Sequence, residues 1–302
     1  MDKLMETIPA AKPKDILFTD CSWFNYNALK WDNETKVKQI NNLYYTELCE
    51  PNNGIEHCFL PTRLLKRLEE QVENLYSKLR TEDTKVDICG EVYFTSKIEG
   101  ANTTIARTQQ IHDGAEINPD NSFSEYMILG GFNATKLLNL YGNRVSSKIL
   151  REVWEVLTYG CCDNLDIDDE LYRKGNVGVG SHMGLNPILV EEAMDIWIEF
   201  YNSDKLKNHP FIKAALLHYA FEFIHPYCDG NGRMGRLLMS NFLIKEGYEK
   251  IKAVSFSREI DTYRLEYDVA FKESENAYND CTPFLEYMLM RMVEAFEHCL
   301  SD

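Results

Sequence analysis

Three observations predict an all-α fold with one small β element. Apolar residues recur at three- and four-residue steps through most of the chain after Pro61, the periodicity of amphipathic helices. No strand–helix–strand alternation is visible, so a parallel sheet is not expected. One stretch alone interrupts the helical run: Gly175 to Gly184 holds four of the sixteen glycines, interleaved with Val177 and Val179, a poor helix and a reasonable short hairpin or loop.

The first sixty residues are irregular. Pro9, Pro13, Pro51 and Asn52-Asn53-Gly54 break them, and Trp23, Phe24 and Trp31 mark a segment expected to pack onto something else. Leu64, Leu65, Leu68, Val72, Leu75 and Leu79 then line one face of a helix. Further helices are predicted near 124–141, 146–159 and 187–202, the last with Pro187 in its first turn, where the missing N–H costs nothing. Two strongly apolar helices follow at 210–224 and 233–246, with Gly247 as a C-terminal cap. A final helix spans about 283–299, with Thr282 as its N-cap and Pro283 in the first turn. Residues 1–85 are read as an N-terminal helical extension and 86–302 as one domain.

Charge narrows the function classes. Lys and Arg total 32 against 48 Asp and Glu, a net charge of −16. Nucleic acid and anionic membranes both require a broad cationic surface, so neither is an expected partner. Nine cysteines, an odd number without a Cys-x-x-Cys pair, indicate free thiols rather than disulfides or zinc. With no apolar run resembling a signal peptide or a membrane span, the expected location is cytoplasmic.

The chemistry concentrates in His225-Pro226-Tyr227-Cys228-Asp229-Gly230-Asn231-Gly232-Arg233-Met234-Gly235-Arg236. Pro226 ends the preceding helix, and Asp229 to Gly232 are turn formers whose glycines let a ligand approach the backbone. Arg233 and Arg236 then open a helix whose N–H groups and dipole already favour an anion. Cationic charge at that end, in an acidic chain, points to a bound polyphosphate. Gly230-x-Gly232-x-x-Gly235 also matches a dinucleotide fingerprint, but that motif follows a strand and 211–224 reads as helix. Glu222 and His225 match the Glu-x-x-His of di-iron bundles, but no second copy exists. His218 reads as a core residue, and His182 as solvent-exposed.

This twelve-residue segment resembles the core motif of the Fic (Fic/Doc) family, His-x-Phe-x-Asp/Glu-Gly-Asn-Gly-Arg-x-x-Arg, with Tyr227 where phenylalanine is usual. The resemblance covers about residues 90–300 and implies a Fic-fold helical bundle with a β-hairpin flap at about 173–187. It implies transfer of AMP from ATP, with Mg²⁺, to a Ser, Thr or Tyr hydroxyl of a target protein or of the chain itself. In that scheme His225 is the general base, Asp229 holds the metal, and Gly230, Asn231 and Gly232 cradle phosphates. Arg233 and Arg236 meet the β- and γ-phosphates. Val177, Gly178 and Val179 in the flap dock the target by backbone pairing. A homodimer is in keeping with the family.

Upstream, Thr95-Ser96-Lys97-Ile98-Glu99-Gly100 resembles the inhibitory motif of the subgroup with an N-terminal inhibitory helix, here expected at about 86–100. Glu99 is then expected to pair with Arg236, with Thr95 or Ser96 anchoring the region through a hydroxyl. Two rival readings are an enzyme running in reverse, with Glu99 helping water remove AMP, and a nucleotide-binding regulator or toxin–antitoxin-like protein with little turnover. The intact His225 argues against the latter, because a binding module has no use for a base.

Overall fold

The computed structural model describes residues 45–46, 57–59, 62–79, 87–141, 144–162, 170–179, 182–276 and 280–301. Trp23, Phe24 and Trp31 lie outside them, as does most of the expected extension at 1–85. Among the described residues the architecture is a bundle of eleven helices with two minimal strand pairs. In chain order the helices are α1 (Arg63–Lys78), α2 (Ile88–Ile98), α3 (Ile105–His112), α4 (Ser122–Leu140), α5 (Ser147–Thr158) and α6 (Pro187–Asn202). They continue with α7 (Pro210–Ile224), α8 (Asn231–Lys245), α9 (Phe256–Thr262), α10 (Arg264–Asn276) and α11 (Thr282–Ser301).

The bundle is organised around α7. Every residue of this helix is buried, as an element apolar on all sides must be. Its one charged intruder at the N-terminal end, Lys213, donates from Nζ to the Ser203 carbonyl at 2.6 Å and lies over the Phe200 and Phe242 rings. α8 packs back along α7, α4 pairs with α5, α2 with α9, and α1 with α11. At the N-terminal side, the buried ring of His57 meets Tyr219 and Phe223 edge-on at 5.4 and 5.0 Å. Each fully buried Phe or Leu of α7 contributes roughly 1.5–3 kcal/mol, so this helix is the fixed frame on which the following loop is mounted.

Ends follow local chemistry. Thr62, Ser146 and Asn186 cap α1, α5 and α6 by accepting from backbone N–H groups. Gly247 takes a positive φ of 96° just past α8. At α11 the expected cap, Thr282, is itself the first helical residue, and its N–H and hydroxyl both donate to Asp280.

β1 (Tyr45–Thr46) pairs antiparallel with β2 (His57–Cys58). In the glycine-rich stretch, β3 (Gly178–Val179) pairs antiparallel with β4 (His182–Met183), and the Gly184 N–H donates to the Val177 carbonyl. Two residue pairs make a far shorter ladder than a β-hairpin flap over 173–187. Glycine content is the reason: these residues gain little from pairing and lose much backbone entropy.

Candidate active site

The loop between α7 and α8 is shaped by its own side chains. His225 ends α7 in the left-handed region, φ 53° and ψ 62°, a conformation that costs a residue with a side chain roughly 1–2 kcal/mol. The surroundings enforce it. Arg173, buried, donates from Nε to the His225 carbonyl at 2.6 Å and from its backbone N–H to the Pro226 carbonyl at 3.0 Å. Its other nitrogens reach the carbonyls of Gly175, Leu185 and Ile224. One guanidinium thus ties the loop to the glycine-rich stretch and to the end of α7.

Asn231 closes the loop from the other side. Its Oδ1 accepts from the Tyr227 N–H at 2.9 Å, and its Nδ2 donates to the Tyr227 carbonyl at 2.8 Å. The amide expected to cradle phosphates is therefore occupied by backbone and 1% exposed. The Tyr227 ring stacks on Trp154 at 4.8 Å and 13°, while its buried hydroxyl has no hydrogen-bond partner among the described residues. Trp154 Nε1 donates to the Asp229 carbonyl at 2.8 Å.

Beyond the loop, α8 starts at Asn231 after Gly230, whose φ of 77° only glycine adopts freely, and no side chain caps this end. A cavity of about 380 Å³ opens over it. Its walls include His225, Asp229, Gly230, Asn231, Gly232 and Arg236 on the motif side, Glu99 from the end of α2, and Val177 and Gly178 from the glycine-rich stretch. Arg264, Tyr267 and Lys272 of α10 form the opposite wall.

Glu99 and Arg236 meet as expected. Arg236, 1% exposed, donates from Nη2 to Glu99 Oε1 at 2.6 Å and from Nε to Thr95 Oγ1 at 2.8 Å, and reaches the Thr95 carbonyl at 3.3 Å. Burial pushes the Glu99 carboxyl up, and the Arg236 guanidinium more than reverses this, so Glu99 is held below the usual carboxylate range. The same carboxylate rests against Gly232, where a Cβ would lie 2.2 Å from Oε1. A negative group is thus lodged at the uncapped N-terminus of α8, the place a helix offers to an anion. Gly100 (φ 90°) closes α2: its N–H donates to the Lys97 carbonyl and that of Ala101 to the Ser96 carbonyl, a Schellman motif. Glu91, accepting from Ser255 and Ser257, and Lys97, paired with Asp261 at 2.7 Å, fasten α2 to α9.

His225 is 6% exposed. Burial pulls its imidazole down to about 4, against a partial offset from the Glu222 carbonyl, so the ring is neutral at pH 7. The Glu222 carbonyl, 3.3 Å from Nδ1, can only accept, which places the proton on Nδ1 and leaves Nε2 with a free lone pair. Burial also pushes the Glu222 carboxyl up to about 7 and His218 down to about 3. His218, bonded to the Tyr267 hydroxyl at 3.1 Å, is a core residue as expected.

The structure places Arg233 and Ser96 apart from the other site residues and corrects the expectation for His182. Arg233 does not line the cavity: it points behind Gly230 towards the Leu157 carbonyl, Cys161 Sγ and, at 3.4 Å, Asp229 Oδ2. The Ser96 hydroxyl has no hydrogen-bond partner among the described residues and is fully buried; of the two expected hydroxyls, that of Thr95 is the one that reaches the pair, through Arg236. His182 is not solvent-exposed: 8% exposed, it contacts Glu275 at 2.9 Å and the Phe223 carbonyl at 3.2 Å. Arg173 and the α10 wall were missed altogether. Neither carries a motif, and a cation that binds only carbonyls leaves no pattern in sequence. Among the described residues no group of three or more His, Cys, Asp or Glu is placed to hold a metal.

A family model described as Fic/DOC family matches residues 146–243, the span from the cap of α5 to the last turn of α8. Over that span the chain is similar to the Fic/DOC family. Protein adenylyltransferase Fic of Drosophila ananassae is 31% identical over 166 residues, which are 53% of this chain and 33% of that protein. The protein of the same name from Drosophila melanogaster gives the same identity and coverage. The chain therefore spans about a third of the length of the curated relatives it matches. Among solved structures, a Fic family protein from Desulfovibrio desulfuricans G20 aligns with a TM-score of 0.68 at 22% identity, covering 80% of this chain and 75% of that one. Fic-1 of C. elegans, residues 134–508, aligns at 0.63 and 18%, covering 79% and 71%. These likenesses establish the Fic fold for the helical bundle. No helix of the described residues is long and apolar enough to cross a membrane.

Proposed function

We propose that the chain is a protein adenylyltransferase whose nucleotide seat is blocked by its own Glu99. The observation that carries this reading is the shared cavity. A neutral imidazole with a free Nε2 faces an uncapped helix N-terminus, and a carboxylate from α2 already occupies the anion position there.

The chemistry follows from the residues present. A target hydroxyl attacks the α-phosphorus of ATP, pyrophosphate leaves, and His225 Nε2 takes the hydroxyl proton. The first-turn N–H groups of α8 and the Arg236 fork stabilise charge on the phosphates. Arg236 can do so only when Glu99 releases it. Arg233 acts indirectly, by steadying Asp229. The Asp229 carboxylate is half-exposed at the cavity wall, with Oδ2 no closer than 3.4 Å to Arg233, which suits a cation held by one carboxylate and the phosphates, as Mg²⁺ usually is. When bound, Mg²⁺ supplies neutralisation of phosphate charge.

Val177, Gly178 and Val179 are proposed to align the target backbone, the short β3–β4 ladder lengthening when a third strand joins it. The target is a protein hydroxyl, on Ser, Thr or Tyr, in another protein or in the same chain.

The test is incubation with α-labelled ATP and cell lysate. Wild type is expected to label weakly, Glu99→Gly strongly and His225→Ala not at all. Equal labelling by wild type and Glu99→Gly would sink the block. Release of pre-attached AMP that depends on Glu99 would assign the reverse reaction instead.

A further inference from the structure

A second cavity, of about 140 Å³, lies against α2 and shares no lining residue with the first. It is enclosed by α2, α4 and α8, with Val92, Leu237, Ile244 and Val254 as its apolar walls. Exposed Asn139 and Lys252 stand at its edge and mark a way in. The volume is comparable to the ~150 Å³ apolar cavities that take up benzene.

Unlike those cavities, this one carries unanswered polar groups. Ser96, 0% exposed, and Arg233, 2% exposed, both line it, and neither Ser96 Oγ nor Arg233 Nε has a hydrogen-bond partner among the described residues. Ser240 Oγ, also on its wall, has none either. A buried donor left unmet is costly, and three around one apolar void describe the complement of a ligand. Arg233 Nε can only donate, so the ligand brings an acceptor. It is uncharged, because Glu91 stands on the same wall and Arg233 already faces Asp229.

We propose that this cavity binds a small neutral molecule with an apolar body and one acceptor oxygen, of the size and chemistry of a phenol or a short aromatic alcohol. Its occupant steadies α2 in the seated position. Thr95 lines the cavity while its hydroxyl holds Arg236, and Glu99 follows one turn later. A ligand that fits the cavity as it stands favours the arrangement in which Glu99 is engaged. This second half rests on the proposed function; the binding itself does not.

Phenol is the probe, with benzoate as its anionic counterpart, titrated into the full chain by calorimetry and saturation-transfer NMR. Wild type is expected to bind phenol and raise its melting temperature, with benzoate at least tenfold weaker. Ser240→Phe, which fills the void, is expected to weaken phenol at least tenfold; if it does not fold, Ser240→Leu serves with a smaller loss. Absence of phenol binding, binding unchanged by both substitutions, or equal affinity for benzoate overturns the site. In the α-labelled ATP assay, saturating phenol should lower wild-type labelling several-fold and affect Glu99→Gly less. Labelling that rises with phenol overturns the seating half. Failure of every protein to label removes the proposed function and leaves the binding result standing.

Discussion

Replacing Glu99 by Gln keeps the side chain's shape and removes only its charge from Arg236. The Gln amide oxygen still accepts from the charged guanidinium, so what is lost is the ion-pair part alone, about 1 kcal/mol at most for a pair in contact with water. The Glu99 side chain is 32% exposed, so that ceiling of about 1 kcal/mol applies here. Arg236 keeps both Thr95 contacts at 2.8 and 3.3 Å, which spares it the larger penalty of an abandoned buried ion. About 1 kcal/mol lowers the melting temperature by roughly 2–4 °C in a domain of this order of size and changes the seated-to-released ratio about fivefold. Melting at pH 7 and labelling with α-labelled ATP should therefore both move, the second upward by about that factor. The pH dependence has a definite sign. Because Arg236 holds the folded Glu99 below the usual carboxylate range, its stabilisation is complete above the unfolded carboxyl's pKa and is lost as pH falls through the folded one. The gap between wild type and Glu99→Gln must narrow in acid. Identical melting at pH 7 with labelling changed less than twofold, or a gap that widens in acid, would refute the account.

Three further outcomes can be checked independently. With His225 held near 4 by burial, the base is already deprotonated at pH 6, so the acidic limb of the labelling rate should fall near pH 4 instead of near 6.5; a midpoint at 6–7 contradicts the buried neutral ring. Tyr227→Phe removes a buried hydroxyl without a partner and is expected to stabilise the fold by about 1 kcal/mol in urea denaturation, with labelling unchanged. Asn231→Ala leaves the Tyr227 N–H and carbonyl buried and unanswered, a loss of about 2–4 kcal/mol at roughly 1–2 each, read by the same denaturation, and labelling should vanish with the loop.

How far the sequence carried the reading depends on the kind of signal. Helices α4 to α8 were legible because their apolar faces repeat with the helical period and their ends carry Pro187, Pro226 and Gly247. α9 and α10 were not: they are short or polar, and broken from each other only at Tyr263. Within the site, Glu99 and Arg236 were legible as a complementary pair, since a charge at either helix end needs an answer. Side-chain direction was not. Arg233 and Arg236 look equivalent in sequence, yet one faces the cavity and the other packs behind Gly230. Asn231 and Thr95 bind backbone or a neighbour's guanidinium, and such roles depend on where the chain returns in space. Arg173 is the extreme case, since everything it holds is a carbonyl oxygen contributed by residues of any identity.

The pairing of Glu99 with Arg236 is unimolecular. A carboxylate on the same chain presents itself at an effective concentration set by the geometry of α2, which dilution cannot lower. Under the proposed function, ATP would compete with a fixed local ligand, and the occupancy of the seat would depend on nucleotide concentration and on whatever loosens α2. On that proposal, the fastening of α2 to α9 through Glu91 and Lys97 would set a nucleotide threshold, and each weakening of that attachment would lower the ATP concentration at which Arg236 changes partners.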